Sequence, residues 1–339
     1  MKKSLLALAA LTAFTGVASA QSSVTLFGIV DLNLRRVDNG SAPALTTQSQ
    51  DGIASSRVGL RGVEDMGGGL KAGFWLEGAI NPDTGTPGGQ TWQRRSTVSL
   101  MGGFGELRLG RDYTPSFWNT TVFDVFGTNG VGSSINASKT LGSGAATQVR
   151  SNNTFGYFLP AMGGLYGQVQ IATSETNAAG FGTFGYKGFR LGYSAGPLNA
   201  AFAYGTTDLG TAPDFKDMNL GASYDMGAAK INAYYAKTKW GSTNQKQFHV
   251  SVGVPMGAAT LKASYNKFDG TADSLDAQQL ALGVVYDMSK RTALYATYSR
   301  LDNGGDNATG AKFTIGGGDA GIKGGEASTG FEFGVRHSF

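Results

Sequence analysis

The segment Val24-Thr-Leu-Phe-Gly-Ile-Val-Asp-Leu-Asn-Leu-Arg35 places Val24, Leu26, Gly28, Val30, Leu32 and Leu34 on one parity. Thr25, Phe27, Ile29, Asp31, Asn33 and Arg35 fall on the other. A period of two makes this a strand with one apolar and one largely polar face. The pattern continues downstream. Val58 and Leu60 oppose Arg57 and Arg61, and Leu70, Ala72, Phe74 and Leu76 oppose Lys71, Trp75 and Glu77. Phe248, Val250, Val252 and Val254, then Leu280, Leu282, Val284 and Tyr286, carry it toward the end of the chain. Sixteen candidate strands emerge, separated alternately by short turns, such as Glu64 to Gly69 and Met101 to Gly105, and by long polar segments, such as Tyr113 to Thr147 and Leu301 to Ala327.

Composition narrows the class. Among 339 residues there are 53 Gly and no Cys, with 28 Lys and Arg against 24 Asp and Glu and 2 His. So much Gly disfavours a helix-rich enzyme. The absence of Cys removes disulfide scaffolds, Cys-ligated zinc and thiol nucleophiles, and two His leave little for a metal site. The charge excess is too slight for a nucleic-acid partner, and no cofactor-binding pattern is present. Lys2 and Lys3, an apolar run from Leu5 to Val17 and Ala18-Ser19-Ala20 read as a signal peptide over residues 1–20, cleaved before Gln21. Beyond it, no run approaches the roughly 18 apolar residues of a spanning helix.

Thin apolar faces rich in Ala, Gly and Tyr fit poorly with the bulky core of a soluble sandwich. Strands of about ten residues, with short turns at one end and long loops at the other, fit a barrel whose apolar face meets lipid. Tyr157, Tyr224, Tyr235, Tyr265, Tyr286 and Tyr298 suit interfacial girdles, although β-propensity accounts for any one of them. Phe331, Phe333, Val335, His337 and Phe339 share one face of the final strand, and His337 reads as a ring at the lipid interface.

Several strings carry a resemblance. Ser23-Val-Thr-Leu-Phe-Gly28, the run Ser56 to Ala72, Phe74 to Glu77, Gly105 to Arg111, Arg150-Ser-Asn-Asn153 and Gly334-Val-Arg-His-Ser-Phe339 are similar to the general porins of Gram-negative outer membranes, particularly the trimeric porins of β-proteobacteria. The resemblance implies an all-β fold, a 16-stranded antiparallel transmembrane β-barrel over residues 21–339 with an inward-folded third loop at about 113–147. It further implies an outer-membrane homotrimer in contact with lipid and lipopolysaccharide, and passive diffusion of small hydrophilic solutes and ions. Phe339 would be the assembly signal read by the barrel-assembly machinery. The segment Asn81 to Gly89 looks like a second loop that latches onto a neighbouring subunit.

The same resemblance places wall arginines opposite the third loop. Arg57 lies in a Ser-Arg-x-Gly element, Arg94 precedes Val98-Ser-Leu100, and Arg150 opens an Arg-x-x-Asn element. A guanidinium facing lipid at mid-bilayer costs about 2 to 4 kcal/mol, which independently turns strand arginines toward the lumen. Arg61 joins the constriction by parity with Arg57, while Arg35 falls further toward the outer mouth. In a regular strand Arg94 and Arg95 point oppositely, and alternation with Val98 and Leu100 favours Arg95 as the lumenal one. Phe123-Asp-Val-Phe-Gly127 resembles an acidic loop-tip motif, yet Asp124 is the only acid between Tyr113 and Val149, and Lys139 offsets it. Asp31, Glu77 and Glu106 are further lumen candidates. The balance predicts a modest anion preference.

Other readings are a substrate-specific channel, with Phe117, Trp118, Phe123 and Phe126 as an aromatic track, and a barrel-anchored adhesin. A phospholipase is suggested by His249-Val-Ser-Val-Gly253, whose H-x-S-x-G spacing resembles outer-membrane phospholipases. Alternation turns His249 and Ser251 away from lipid and the sequence identifies no third group, so a polar lumen wall and a non-enzymatic chain are expected. Asp65-Met-Gly-Gly-Gly69 and Ile315-Gly-Gly-Gly-Asp319 lack the spacing of dinucleotide loops.

Overall fold

The computed structural model describes residues 23–89, 91–145, 147–174, 185–317 and 321–339. The expected signal peptide lies outside the described residues, as does most of the long segment after Ser174. The strand segments in chain order are β1 (Ser23–Asn39), β2 (Leu45–Gln50), β3 (Arg57–Gly67), β4 (Leu70–Asn81), β5 (Thr86–Pro87), β6 (Arg95–Gly102), β7 (Gly105–Tyr113), β8 (Arg150–Phe158) and β9 (Leu165–Ala172). They continue as β10 (Tyr186–Ala195), β11 (Leu198–Thr207), β12 (Phe215–Asp225), β13 (Lys230–Trp240), β14 (Thr243–Met256), β15 (Ala259–Gly270), β16 (Ala277–Asp287), β17 (Thr292–Asn303) and β18 (Ala327–Ser338).

All pair antiparallel with sequence neighbours, and β1 pairs with β18 from Ile29↔Ser338 to Asn39↔Ser328, which closes the sheet. β2 and β3 pair with successive halves of β1, so they make one wall position broken at residues 51–56. β5 pairs only with the end of β4 and extends the Asn81 to Gly89 connection. The barrel is therefore 16-stranded, as expected. Closure satisfies the backbone of every strand without leaving an edge, which a bilayer requires.

The barrel is inside-out relative to a soluble fold. Val24 and Leu26 are 66% and 60% exposed on the outer face, whereas Asp31 and Glu332 are fully enclosed on the inner one. The Asp65-Met-Gly-Gly-Gly69 string makes the turn between β3 and β4. Gly67, Gly68 and Gly69 all have positive φ, and Asp65 Oδ1 accepts the Gly67 N–H at 2.9 Å. A side chain there would strain the turn. The long-loop end is less uniform than the sequence suggests, since β13 and β14 join through Gly241 and Ser242 alone. At that end the Glu326 carboxylate accepts Ser41 N, Ser41 Oγ and Lys323 N at 3.1, 3.0 and 2.9 Å. Those donors hold its carboxyl below the usual range and tie together the long connections that flank the seam. On the seam, Phe339 exchanges both backbone hydrogen bonds with Gly28, and its ring occupies the space a Cβ at Gly28 would need.

Residues 114–145 and 147–149 fold into the barrel. Helix α1 (Pro115–Val122) starts on Pro115, which supplies a helical φ at a position needing no N–H donor. Asn119 fixes it to the wall. Its Nδ2 donates to Ala201 O (3.0 Å) and Asn219 Oδ1 (2.7 Å), and its Oδ1 accepts Arg190 Nε (2.7 Å). The segment then follows the wall. Phe123 packs with Ala201 and Tyr234, and Val131 with Phe268, Leu301, Phe313 and Ile315. Leu141 and Ala145 return to Leu209 and Phe215. Among the described residues, three of the four buried hydrophobic clusters are built by this segment, and the arginine-bearing wall stays uncovered.

Candidate functional site

The uncovered wall carries a cluster of paired charges. Arg57, Glu77, Arg95 and Arg108 are inward positions of β3, β4, β6 and β7, facing water because the alternate positions face lipid. Glu77 is its centre. One oxygen, Oε1, takes Arg94 Nε at 2.6 Å and Arg57 Nη1 at 3.4 Å, and the other takes Trp75 Nε1 at 3.0 Å. Arg94 Nη2 and Arg150 Nη2 both donate to Tyr113 OH, at 3.1 and 2.7 Å. Arg150 also donates to Arg94 O at 2.8 Å and lies 4.2 Å from the Tyr113 ring centroid. A buried carboxylate thus lets two guanidiniums stand close together, while Arg150 is positioned by neutral groups and keeps its full charge.

The choice between Arg94 and Arg95 dissolves in the structure. β6 begins at Arg95, so Arg94 sits in the irregular chain before it, where alternation does not apply. Both reach the lumen side: Arg94 to Glu77, and Arg95 to Thr97 Oγ1 (3.0 Å), over the Trp75 ring (4.5 Å) and 3.9 Å from Asp112. Arg108 and Asp112 belong to the same cluster and were missed by sequence reading. Arg108 binds Glu106 through Nε and Nη2 at 2.8 and 2.9 Å and Asp112 through Nη1 at 2.6 Å. Alternation with Leu107 and Leu109 carried the signal for Arg108. Asp112 was hidden by a bulge at Gly110/Asp112.

Other expected residues lie elsewhere. Arg61 is four residues from Arg57 toward the short-turn end, a separation of about 13 Å along a strand. It therefore occupies a different layer from Arg57, Arg94 and Arg150, because parity fixes the face and not the depth. Arg35 is at the opposite end, held by Glu332 Oε2 through Nε and Nη2 at 3.0 and 2.8 Å. Asp31 is enclosed; its carboxylate accepts Gly52, Ile53 and Ala54 N–H and the Tyr295 hydroxyl, and so organises the break between β2 and β3.

Asp124 is in the inward loop, but it does not present its charge to water. Its Oδ1 accepts Phe126 N (2.8 Å) and its Oδ2 accepts Thr128 N and Ser134 N (3.0 Å each). It shapes the loop. Asp124→Asn should therefore disturb conductance as well as selectivity, since an amide cannot accept all three N–H groups and each lost partner costs about 1–3 kcal/mol. Single-channel recording should show a noisier, altered open level. An unchanged level with only a shifted reversal potential would mean that Asp124 acts as a simple pore charge. The loop aromatics do not form a continuous track: Phe123 and Phe126 are buried in packing, and only Phe117 and Trp118 reach Tyr113, at 5.2 and 5.7 Å.

His249 and Ser251 face inward, as alternation requires, and the structure supplies the third group that the sequence did not. His249 lies 2.9 Å from Ser251 Oγ through Nε2 and 2.8 Å from Asn266 Oδ1 through Nδ1. The chain is sealed, with His249 fully enclosed and stacked on Tyr234 at 4.6 Å, and Ser251 Oγ accepting Val125 N at 3.4 Å. It fastens the inward loop to β14 and leaves no space for an acyl group.

A family model described as Gram-negative porin matches residues 7–306. Outer membrane porin protein 32 of Delftia acidovorans is 40% identical over 355 residues, covering 100% of both chains. An outer membrane porin protein of Bordetella pertussis is 29% identical over 374 residues, covering 89% of this chain and 95% of its own. An anion-selective porin from Comamonas acidovorans superposes with a TM-score of 0.84 at 36% identity, over 94% of this chain and 100% of its own. An inside-out barrel with a polar, charge-lined lumen and these relatives lead to one conclusion: the chain belongs to the Gram-negative porin family and is an outer-membrane channel protein.

Proposed function

We propose that this porin passes small hydrophilic solutes and ions with a modest preference for anions, acting as a homotrimer through a constriction formed by Arg57, Arg94 and Arg150 with the inward loop. One observation carries the reading. Among the described residues, Arg57, Arg61, Arg94, Arg95, Arg108 and Arg150 share one stretch of wall with Glu77, Glu106 and Asp112, and with Asp51, which acts on Arg94, while the Asp124 carboxylate is used within the loop. Six guanidiniums against four carboxylates leave two positive charges over. The Debye length near physiological salt is about 8 Å, so a permeating ion in a narrow lumen feels them. The anion selectivity named for the Comamonas porin supports the same sign.

The family resemblance supports the trimer, as does the Asn81 to Gly89 connection at the long-loop end, a largely exposed hairpin in which Ile80 and Asn81 pair with Pro87 and Thr86. The experiment is a reversal potential of the purified protein in a planar bilayer under a KCl gradient, with the oligomer measured by light scattering in mild detergent. An anion-side potential from a trimer is expected. A cation-side potential would sink the selectivity, and a stable monomer would sink the assembly.

A further inference from the structure

Arg61 is the member of the wall whose donors are least used. Its guanidinium lies in the corner of an edge-to-face pair, Phe27 and Trp75, whose centroids are 5.0 Å apart; its Cζ is 5.2 Å from the first ring and 5.0 Å from the second. Among the described residues it makes no ion pair, and it is exposed to the lumen. Trp75 is itself fixed by Glu77 and covered by Arg95, so the corner is rigid. Cation–π contact holds a guanidinium by its face and leaves its in-plane N–H groups free.

Beside it is a cavity of about 370 Å³ at the short-turn end of the lumen, whose lining includes Arg61, Arg95, Trp75, Val63, Met101 and Ser99. Arg108 also borders it, but its charge is met by Glu106 and Asp112. Two cations with spare donors therefore face one space: Arg61, and Arg95, whose nearest carboxylate at 3.9 Å is beyond hydrogen-bond reach. Val63 and Met101 give that space an apolar floor, and the Glu106 carboxylate that also borders it is taken up by Arg108 and Ser99. Halide recognition has no use for such a floor, and a hydrated inorganic ion would leave it wet.

We infer that this cavity is a binding site for monocarboxylates with an apolar or aromatic body, of about the size of benzoate, on the short-turn side of the constriction. The carboxylate spans two N–H groups of Arg61, which presents the planar fork that this geometry fits. The body lies on Val63 and Met101, with the thioether adapting to a flat ring. The site deepens the proposed anion preference: the leftover charge of the wall draws anions through, and this corner retains those with an apolar body.

The test uses sodium benzoate and sodium acetate added to both sides of a bilayer holding the purified full-length channel in KCl. Benzoate is expected to reduce the current saturably at concentrations where acetate has little effect. Arg61→Gln should weaken that block by about tenfold or more, the loss of one charge-assisted pair, and Arg61→Lys should restore only part of it, because an ammonium lacks the fork. Met101→Glu, which leaves Arg61 intact and places a competing carboxylate on the floor, should also abolish the block. Equal effects of benzoate and acetate on the unaltered channel, or full block in Arg61→Gln, would overturn the site. If Arg61→Gln fails to assemble, a full block surviving in Met101→Glu would overturn it equally. The KCl reversal potential, read on the same membranes, separates the two ideas. A cation-side value defeats the anion preference, whereas an anion-side value without benzoate block defeats this site alone.

Discussion

Replacing Arg94 and Arg150 together by Gln should carry the KCl reversal potential from the anion side to near zero. Even with the dielectric of water, one charge about 5 Å from a permeating ion changes its energy by about 0.8 kcal/mol, with opposite signs for anion and cation. Two such charges alter the anion-to-cation ratio by more than tenfold before screening reduces the effect. The two residues contribute differently. Arg150 has no carboxylate partner, so its removal subtracts a full charge. Arg94 is bound to Glu77 at 2.6 Å, so its removal also leaves that carboxylate with Arg57, at 3.4 Å, as its remaining ion-pair partner. Arg94→Gln alone should thus shift the potential at least as far as Arg150→Gln alone. A double variant indistinguishable from the parent would place the selecting charges elsewhere in the lumen.

Gly221→Val should reduce conductance and add flicker without reducing the yield of assembled barrel. Gly221 is an inward position of β12, and the Phe123 ring rests where its Cβ would be. Overpacking of this kind costs about 1–3 kcal/mol, enough to change the occupancy of the docked loop by roughly tenfold or more. The bulk is added between wall and loop, so the loop moves toward the channel. Its other fastenings, Asn119 on Asn219, Val125 on Ser251 and Val131 on Glu332, keep it inside the barrel. The lipid-facing side of β12 is untouched, which is why assembly should be normal. Phe123→Ala added to Gly221→Val should recover most of the conductance, because the two changes share one space and couple. Normal conductance in Gly221→Val alone would show that the segment does not border the current path.

Alternation by itself determined the barrel, the inward face of each regular strand and hence the lumenal side of Arg57, Arg61 and Glu77, because a side chain on a paired strand has only two directions. Bilayer energetics then assigned the polar direction to water. Depth along the wall is not contained in parity, so Arg61 and Arg57 looked equivalent and proved to lie in different layers. Parity also fails where the ladder is broken: Arg94 precedes its strand and Asp112 follows a bulge. The inward loop was legible as a segment and not as a path. Which way the Asp124 carboxylate turns is set inside the loop by the N–H groups of Phe126, Thr128 and Ser134, and the residue that completes the His249 and Ser251 chain is set by the register of the β14–β15 hairpin, where Asn266 faces His249. Only the tertiary fold seats Phe123 of the inward loop on Gly221 of β12.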